Sequence, residues 1–357
     1  MAKKIKKILI VRLSAIGDTI HTLPMVNALK RSFPDAEIHW VVEDKAQFFV
    51  QNARNVDKVF VLPRKQWKKE KNIFKKINDF SRLMDKLKRE KYDIAIDVQQ
   101  LFKSGIILAL SGAKRKLSMD IAREFSNIFA TEIIQSKTNL FDANYHVLTR
   151  YQEFLEYLDI EDKENTFDLK PFSESTKEYV QGLLCDFEEN KPIIVFAPAT
   201  TWVNKHWAVE NWQELFNYFA PKANIIFTGT LKDSHLVDEI IQDSECKFID
   251  LMGKTNLEQL AQLFQMSDLV ISPDSGSAHI AWAVEKPYTI SIFTATSKNR
   301  TGPIGSKNFS FAPELPCAPC QRPKCKNRKD RYACTKALLS QQIIDKIDEL
   351  LFVQNNN

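Results

Sequence analysis

Apolar residues in this chain come in short runs separated by longer stretches of helical period. In the first half the runs Lys7–Leu13, Glu37–Val42, Lys58–Leu62 and Tyr92–Val98 are rich in Ile and Val and read as strands. The segments Thr22–Ser32, Ile73–Arg89 and Lys103–Leu110 between them read as helices. The alternation restarts later. Pro192–Ala197, Asn224–Phe227, Lys247–Asp250, Asp268–Ser272 and Tyr288–Phe293 read as strands, and Trp207–Phe219, Leu231–Ile241, Leu257–Gln265 and Ser277–Val284 as helices. Glu161 to Asn190 is charged and irregular and reads as the boundary region. A last amphipathic helix, Ser340–Phe352, precedes a polar tail. Strands interleaved with helices predict a parallel sheet covered on both faces, here twice. The expectation is two consecutive α/β domains, residues 1–170 and 171–357, with a cleft between them.

Length and composition agree with two domains. The chain has 357 residues, of which 44% are hydrophobic, enough for two cores and unlike a disordered composition. The net charge of +5 is unevenly spread, because Arg64 to Lys91 holds twelve Lys/Arg against four Asp/Glu. Such a stretch is either a solvated helix face or a surface for an anionic partner. The basic start of the chain is followed by an apolar run cut by Arg12, which argues against a secretory signal, and no run approaches a transmembrane length. A soluble cytoplasmic protein is the expectation.

Ligands of open parallel sheets lie beyond the carboxyl ends of the strands. Asp18, Asp97, Thr200 with Thr201, Thr228–Thr230 and Asp274 meet that condition. Asp18 follows Gly17 at a strand-to-helix turn and serves either as a helix cap or as a general base, with His21 and Thr22 close behind. The stretch Pro273–His279, PDSGSAH, opens a helix with small residues, and the free N–H groups of Ser275, Gly276 and Ser277 suit a phosphate. Asp274 is placed to hold a hydroxyl or an amine. At a third junction, Phe196–Trp212, the hydroxyls of Thr200 and Thr201 and the charge of Lys205 are available to a phosphate.

What is missing narrows the choice. The chain has no Gly-x-Gly-x-x-Gly after its first strand, no Gly-x4-Gly-Lys-Ser/Thr, no Gly-x-Ser-x-Gly and no His-Glu-x-x-His. An isolated carboxylate in one half and phosphate-binding helix starts in the other suit transfer of a sugar from a nucleotide donor. Of six cysteines, Cys185 and Cys246 are isolated, while Cys317, Cys320, Cys325 and Cys334 cluster. In a cytosolic chain the cluster reads as structural zinc or as reduced, metal-free thiols. A zinc-knuckle nucleic-acid binder using the basic stretch is the alternative from another class.

The segments ILIVRLSAIGDTIHTLPMVNAL, IDVQQLFKSG, MDIAREF, ATTWVNKHWAVENW and ISPDSGSAH occur in the order seen in bacterial ADP-heptose:lipopolysaccharide heptosyltransferases, which the chain resembles between about Lys7 and Gly305. The first heptosyltransferase of that family is the nearest in pattern. The resemblance implies a GT-B fold of two Rossmann-like domains, the first binding acceptor and the second the nucleotide sugar. It implies an inverting, metal-independent reaction that moves L-glycero-D-manno-heptose from ADP-heptose to the Kdo of lipid A, at the cytoplasmic face of the inner membrane and without nucleic acid. By the same resemblance Asp18 is the base. Thr200, Thr201, Lys205, Asp233, Asp274, Ser275, Gly276, Ser277 and His279 hold the donor. Gly17, His21, Arg64, Lys65, Lys68, Lys69 and Arg123 lie on the acceptor side. The four-cysteine segment departs from the first heptosyltransferase pattern and leaves a later-acting heptosyltransferase, or a relative using another acceptor or nucleotide sugar, as the alternative.

Overall fold

The structure, a computed structural model, describes residues 5–242 and 244–353; the first four residues and the polar tail, 354–357, lie outside them. It divides into two compact units at Lys170 and Pro171. In the first, the strands are β1 (Lys7–Val11), β2 (Glu37–Glu43), β3 (Lys58–Leu62), β4 (Ile94–Asp97), β5 (Arg115–Met119) and β6 (Glu132–Ile134). They form one parallel sheet in the order β3-β2-β1-β4-β5-β6. In the second, β7 (Ile193–Phe196), β8 (Asn224–Gly229), β9 (Ile249–Met252), β10 (Leu269–Pro273), β11 (Tyr288–Ile292) and β12 (Asn308–Phe311) are parallel in the order β12-β11-β10-β7-β8-β9. Read from β9, the second sheet repeats the order of the first: chain order reverses once in each, between β1 and β4 and between β7 and β10. These are two Rossmann-like units, as the resemblance implies.

Both sheets are held by burial on two faces. Ile8, Leu9, Ile10 and Val11 of β1 are all 0% exposed, as are Leu269, Val270 and Ile271 of β10, which explains why these strands read as continuous apolar runs. Trp212, Phe216 and Phe219 of the helix Val209–Phe219 pack on Phe196 and Phe227. On the other flank of that helix, Phe219 stacks on Phe352 beyond the last helix, Ser340–Leu351.

Several boundaries differ from the sequence reading, each for a local reason. The first helix starts at Ile16, six residues before the expected Thr22, so Asp18 is its third residue and the cap position belongs to Ala15. Thr19 and Thr22 hide their hydroxyls in the helix by donating to Ile16 and Asp18 carbonyls, so these polar residues do not break it. The presumed irregular stretch Glu161–Asn190 holds a helix, Glu174–Leu183. Strands β5, β6 and β12 escaped notice because they are short edge or near-edge strands whose residues are mixed in polarity.

At the amino ends of β1 and β2, away from the strand ends considered above, Glu37, His39 and Glu90 bring potential ligand atoms within 4.8 Å of one another. Lysines already occupy this cluster. Lys7 Nζ lies 2.8 Å from Glu90 and 3.1 Å from Glu37, and Lys58 also pairs with Glu90. Lys58, then Lys7, draws the Glu90 carboxyl down to about 2. A carboxylate lowered in the fold stabilises above its unfolded value of about 4.3 and loses that contribution as pH falls toward its folded value. Glu90→Gln is expected to lower unfolding stability by about 2 kcal/mol at pH 7. In urea titrations across pH, the gap from wild type should narrow from about pH 4 downward.

Candidate active site

In the first unit the loop after β1 meets the end of β4 at the reversal of strand order. Arg12, the residue after β1, is 8% exposed. Its Nη1 donates to Val98 O at 2.9 Å and its Nη2 reaches Asp18 Oδ2 at 2.8 Å. The Ala15 N–H donates to the same Oδ2 at 3.0 Å, while the Asp18 side chain remains 43% exposed. Two donors therefore fix one carboxylate oxygen, and Oδ1 takes neither of them. Burial by itself would lower the Arg12 pKa; Asp18 foremost, then Tyr151 and Asp97, carries it above its ordinary value, so the guanidinium stays charged. The Gln99 amide oxygen accepts from the Leu13 and Ser14 N–H groups, tying the β1 loop to β4.

Asp97 ends β4 and is fully buried. Burial pushes its carboxyl up to about 6, against the opposing pull of the Gln100 and Gln99 N–H groups, the Ser104 hydroxyl and Arg12. Its oxygens are spent on Gln99, Gln100 and Ser104, which shape the turn into the helix Phe102–Leu110. Asp97 is thus a turn-forming group, whereas Asp18 has an oxygen to spare.

Around this centre the basic residues are exposed. Arg64 and Lys103 converge on Glu43 at the end of β2, at 3.6 and 2.8 Å. Lys65, Lys68 and Lys69 are exposed on the helix Arg64–Lys69, and exposed Arg123 is held near β4 by its N–H bond to Gln100 O. Gly17 and His21 differ: both are buried, and the His21 ring packs edge-on to His146 at 6.2 Å. Both lie inside the first helix.

In the second unit the loops after β7 and β10 meet at the corresponding reversal. Lys205 Nζ lies 2.6 Å from Asp274 Oδ2, and Thr296, just beyond β11, donates its hydroxyl to the same oxygen at 2.6 Å. His279 Nε2 stands 3.6 Å from Oδ1. Burial alone would raise the Asp274 carboxyl; His279 and Lys205 together overcome it and hold Asp274 well below the usual carboxylate range. In this structure a hydroxyl and an amine of the protein itself, from Thr296 and Lys205, meet Asp274. Thr200 donates to Asp274 O, His206 bonds Thr200 O at 3.0 Å, and Thr201 is exposed. Lys205 also lies over the Trp202 ring at 4.8 Å.

Ser275 caps the helix Gly276–Ala283 by accepting from the Ser277 N–H, and is itself bonded to Ser272. A Cβ added at Gly276 would meet no protein atom within 4 Å, so space rather than packing surrounds this helix start. The structure brings Thr200, Lys205, Asp274, Ser275, Gly276, Ser277 and His279 to one end of this sheet. Asp233 sits apart in the turn Leu231–Asp233 after β8, where its carboxylate accepts the Thr230 hydroxyl.

Sequence reasoning missed Arg12 and Thr296. Arg12 was visible as a charge ending an apolar run, and Thr296 as a hydroxyl just after a strand, the criterion applied to the other junctions.

The sequence profile described as "Glycosyltransferase family 9 (heptosyltransferase)" matches residues 80–330. The chain is 27% identical over 329 residues to lipopolysaccharide heptosyltransferase 1 of Pseudomonas aeruginosa, covering 89% of this chain and 87% of that one. Its structure is similar to a family 9 glycosyl transferase of Veillonella parvula, with TM-score 0.79, 21% identity, and 98% and 99% of the two chains covered. It is also similar to the Escherichia coli heptosyltransferase WaaC with ADP-2-deoxy-2-fluoro heptose, with TM-score 0.70, 22% identity, and 96% and 99% covered.

Removing one member of a buried ion pair leaves the other charge uncompensated. Asp274→Asn is expected to destabilise the protein by about 3 kcal/mol in urea titration. Adding Lys205→Met to that variant should recover part of the loss, because the stranded charge is gone.

Proposed function

The chain belongs to glycosyltransferase family 9, and from that premise we propose that it moves L-glycero-D-manno-heptose from ADP-heptose to the Kdo of lipid A, with inversion at the sugar carbon. The observation that carries this reading is the exposed Asp18 carboxylate with one oxygen clamped by Arg12 and Ala15. The free oxygen takes the proton of an acceptor hydroxyl as that oxygen bonds to C1 of the heptose. The C1–O bond to the diphosphate breaks on the opposite side, which gives inversion, and ADP departs with the electron pair. Arg12, fixed and charged, keeps the base oriented.

The leaving diphosphate needs stabilising. Lys205 has three donors, and its Nζ meets Asp274 through the carboxylate and the main-chain carbonyl. Together with the backbone N–H groups at Ser275–Ser277 it offers positive potential without a metal, so no cofactor is required in this reading. Thr200, Thr201, His279 and Asp233 complete the donor side. The second unit then serves the donor and the first the acceptor, whose Kdo carboxylates and lipid A phosphates suit Arg64, Lys65, Lys68, Lys69 and Arg123.

The same charge supports peripheral residence on an anionic inner-membrane surface, on its cytoplasmic face. Ile73, Phe74 and Ile77 at the start of the helix Ile73–Arg89 are 57%, 78% and 57% exposed, beside Lys71, Lys75 and Lys76. An apolar tip ringed by lysines suits shallow insertion among acidic headgroups. Among the described residues no helix is long and apolar enough to cross a membrane.

Two measurements test the proposal. Mass spectrometry after incubation with ADP-heptose and Kdo-lipid A should show a product heavier by one heptose, with turnover lost by at least about a thousand-fold in Asp18→Ala. A wild type that leaves both substrates unchanged would refute the assignment. Phe74→Ser with Ile77→Asn should reduce co-sedimentation with phosphatidylglycerol vesicles while leaving turnover of a short, water-soluble Kdo acceptor unchanged.

A further inference from the structure

Residues 312–332, between β12 and the short helix Ala333–Lys336, contain neither helix nor strand. That is well beyond the ~12–15 residues at which an unstructured connection inside a compact unit becomes uncommon. Nothing apolar holds it, since no residue of 312–332 is buried. Pro313, Pro316, Pro319 and Pro323 remove backbone donors, and six Lys/Arg stand against two Asp/Glu. By composition this segment should not keep one conformation without a cross-link.

Yet the segment braces the donor-side loops. Arg322 O accepts the Asn204 amide, next to Lys205. Asn204 is 1% exposed, and its own carbonyl accepts the Thr294 hydroxyl at 2.7 Å. Gln321 N–H donates to Ala295 O at 2.8 Å, one residue from the Thr296 that holds Asp274. Past the last cysteine, Thr335 O accepts the Ala208 N–H and Leu338 O the Trp207 indole. A polar loop with no core of its own thus supports the Lys205–Asp274 pair.

The cross-link available is sulfur. Cys317, Cys320, Cys325 and Cys334 all lack a disulfide, and they are graded from exposed Cys317 to buried Cys334. The four thiols lie within one stretch of chain in the spacing Cys-x2-Cys-x4-Cys-x8-Cys, and among the described residues no three of the sulfurs stand within 4.8 Å of one another, so the ligand set is open in this structure. Backbone and side-chain N–H groups already point at them, from Tyr332 to Cys325 Sγ at 3.4 Å and from Asn327 to Cys317 Sγ at 3.7 Å. A tetrahedral ion bonded at about 2.3 Å draws four sulfurs to contact and supplies the attraction that thiolates lack among themselves. Four thiolates and a divalent ion sum to −2, which the six basic side chains of the segment offset.

We propose that Cys317, Cys320, Cys325 and Cys334 bind one zinc-class divalent ion in a tetrathiolate site, and that this ion staples the loop that braces the donor-side Asn204–Lys205 turn. The site is structural and takes no part in bond making. Only its effect on nucleotide affinity rests on the donor reading given above.

The test is elemental analysis of the full chain purified under reducing conditions, followed by exchange for Co2+. The expected result is one metal per chain, with the visible bands of tetrahedral thiolate-bound cobalt. Both should be lost in Cys320→Ser and in the milder, exposed Cys317→Ser, and kept in Cys185→Ser. Stripping the metal should lower the melting temperature and weaken ADP binding roughly five- to ten-fold, the size of coupling carried between linked sites. Wild-type protein without bound metal and with all four thiols open to a thiol reagent would overturn the site, as would two disulfides found by mass. Unchanged ADP affinity after stripping would overturn the bracing role. If wild type fails to bind ADP at all, the donor reading falls, and the metal count and cobalt spectrum still decide the site.

Discussion

Each sheet can be extended outward on both sides from one pair of central strands, and there the helices that follow the two strands pass to opposite faces. This constraint organises the molecule. Between β1 and β4 it places the Arg12–Asp18 loop, and between β7 and β10 it places the Thr200–Lys205 and Asp274–His279 loops. Polar groups gather at these two places and pair with one another there. The rest of each unit is a sheet buried in apolar side chains.

Electrostatics divides the acidic groups by role. Asp97 and Asp274 are both buried at strand ends, yet they move in opposite directions. Asp97 has only neutral donors at hydrogen-bond distance, so burial wins and its carboxyl rises to about 6. Asp274 has Lys205 and His279, which outweigh burial and hold it low. Asp18 is the exposed one, clamped through a single oxygen by a buried guanidinium. A carboxylate that must accept a proton from a substrate needs access and a fixed direction, and of the three only Asp18 combines them.

The strands most legible in the sequence were those buried on both faces, β1, β7 and β10, because a continuous Ile/Val run has few other readings. The two Rossmann-like units followed from the repeated alternation. The edge strands β6 and β12 and the neighbouring β5 were not legible, since they are short and their residues carry no clear period. The start of the first helix was misjudged because Gly17, Asp18, Thr19 and Thr22 look like a turn; the side chains of Asp18, Thr19 and Thr22 cap and back-bond within the helix instead. Within the site, residues that present a group at a strand end could be picked out singly. Their mutual use could not: that Lys205 is Asp274's partner is a fact of strand order, which brings together residues 69 apart, and that Arg12 is Asp18's depends on the local path of the loop after β1.

The central claim is a division of labour, with the proton handled by the first unit and the nucleotide by the second. Calorimetric titration of ADP into wild type, Asp18→Asn and Lys205→Met tests it most directly. The account predicts that Asp18→Asn, though inactive, binds ADP as tightly as wild type, while Lys205→Met loses at least ten-fold in affinity, about 1.4 kcal/mol. Equal weakening in both variants, or full affinity in Lys205→Met, would contradict it.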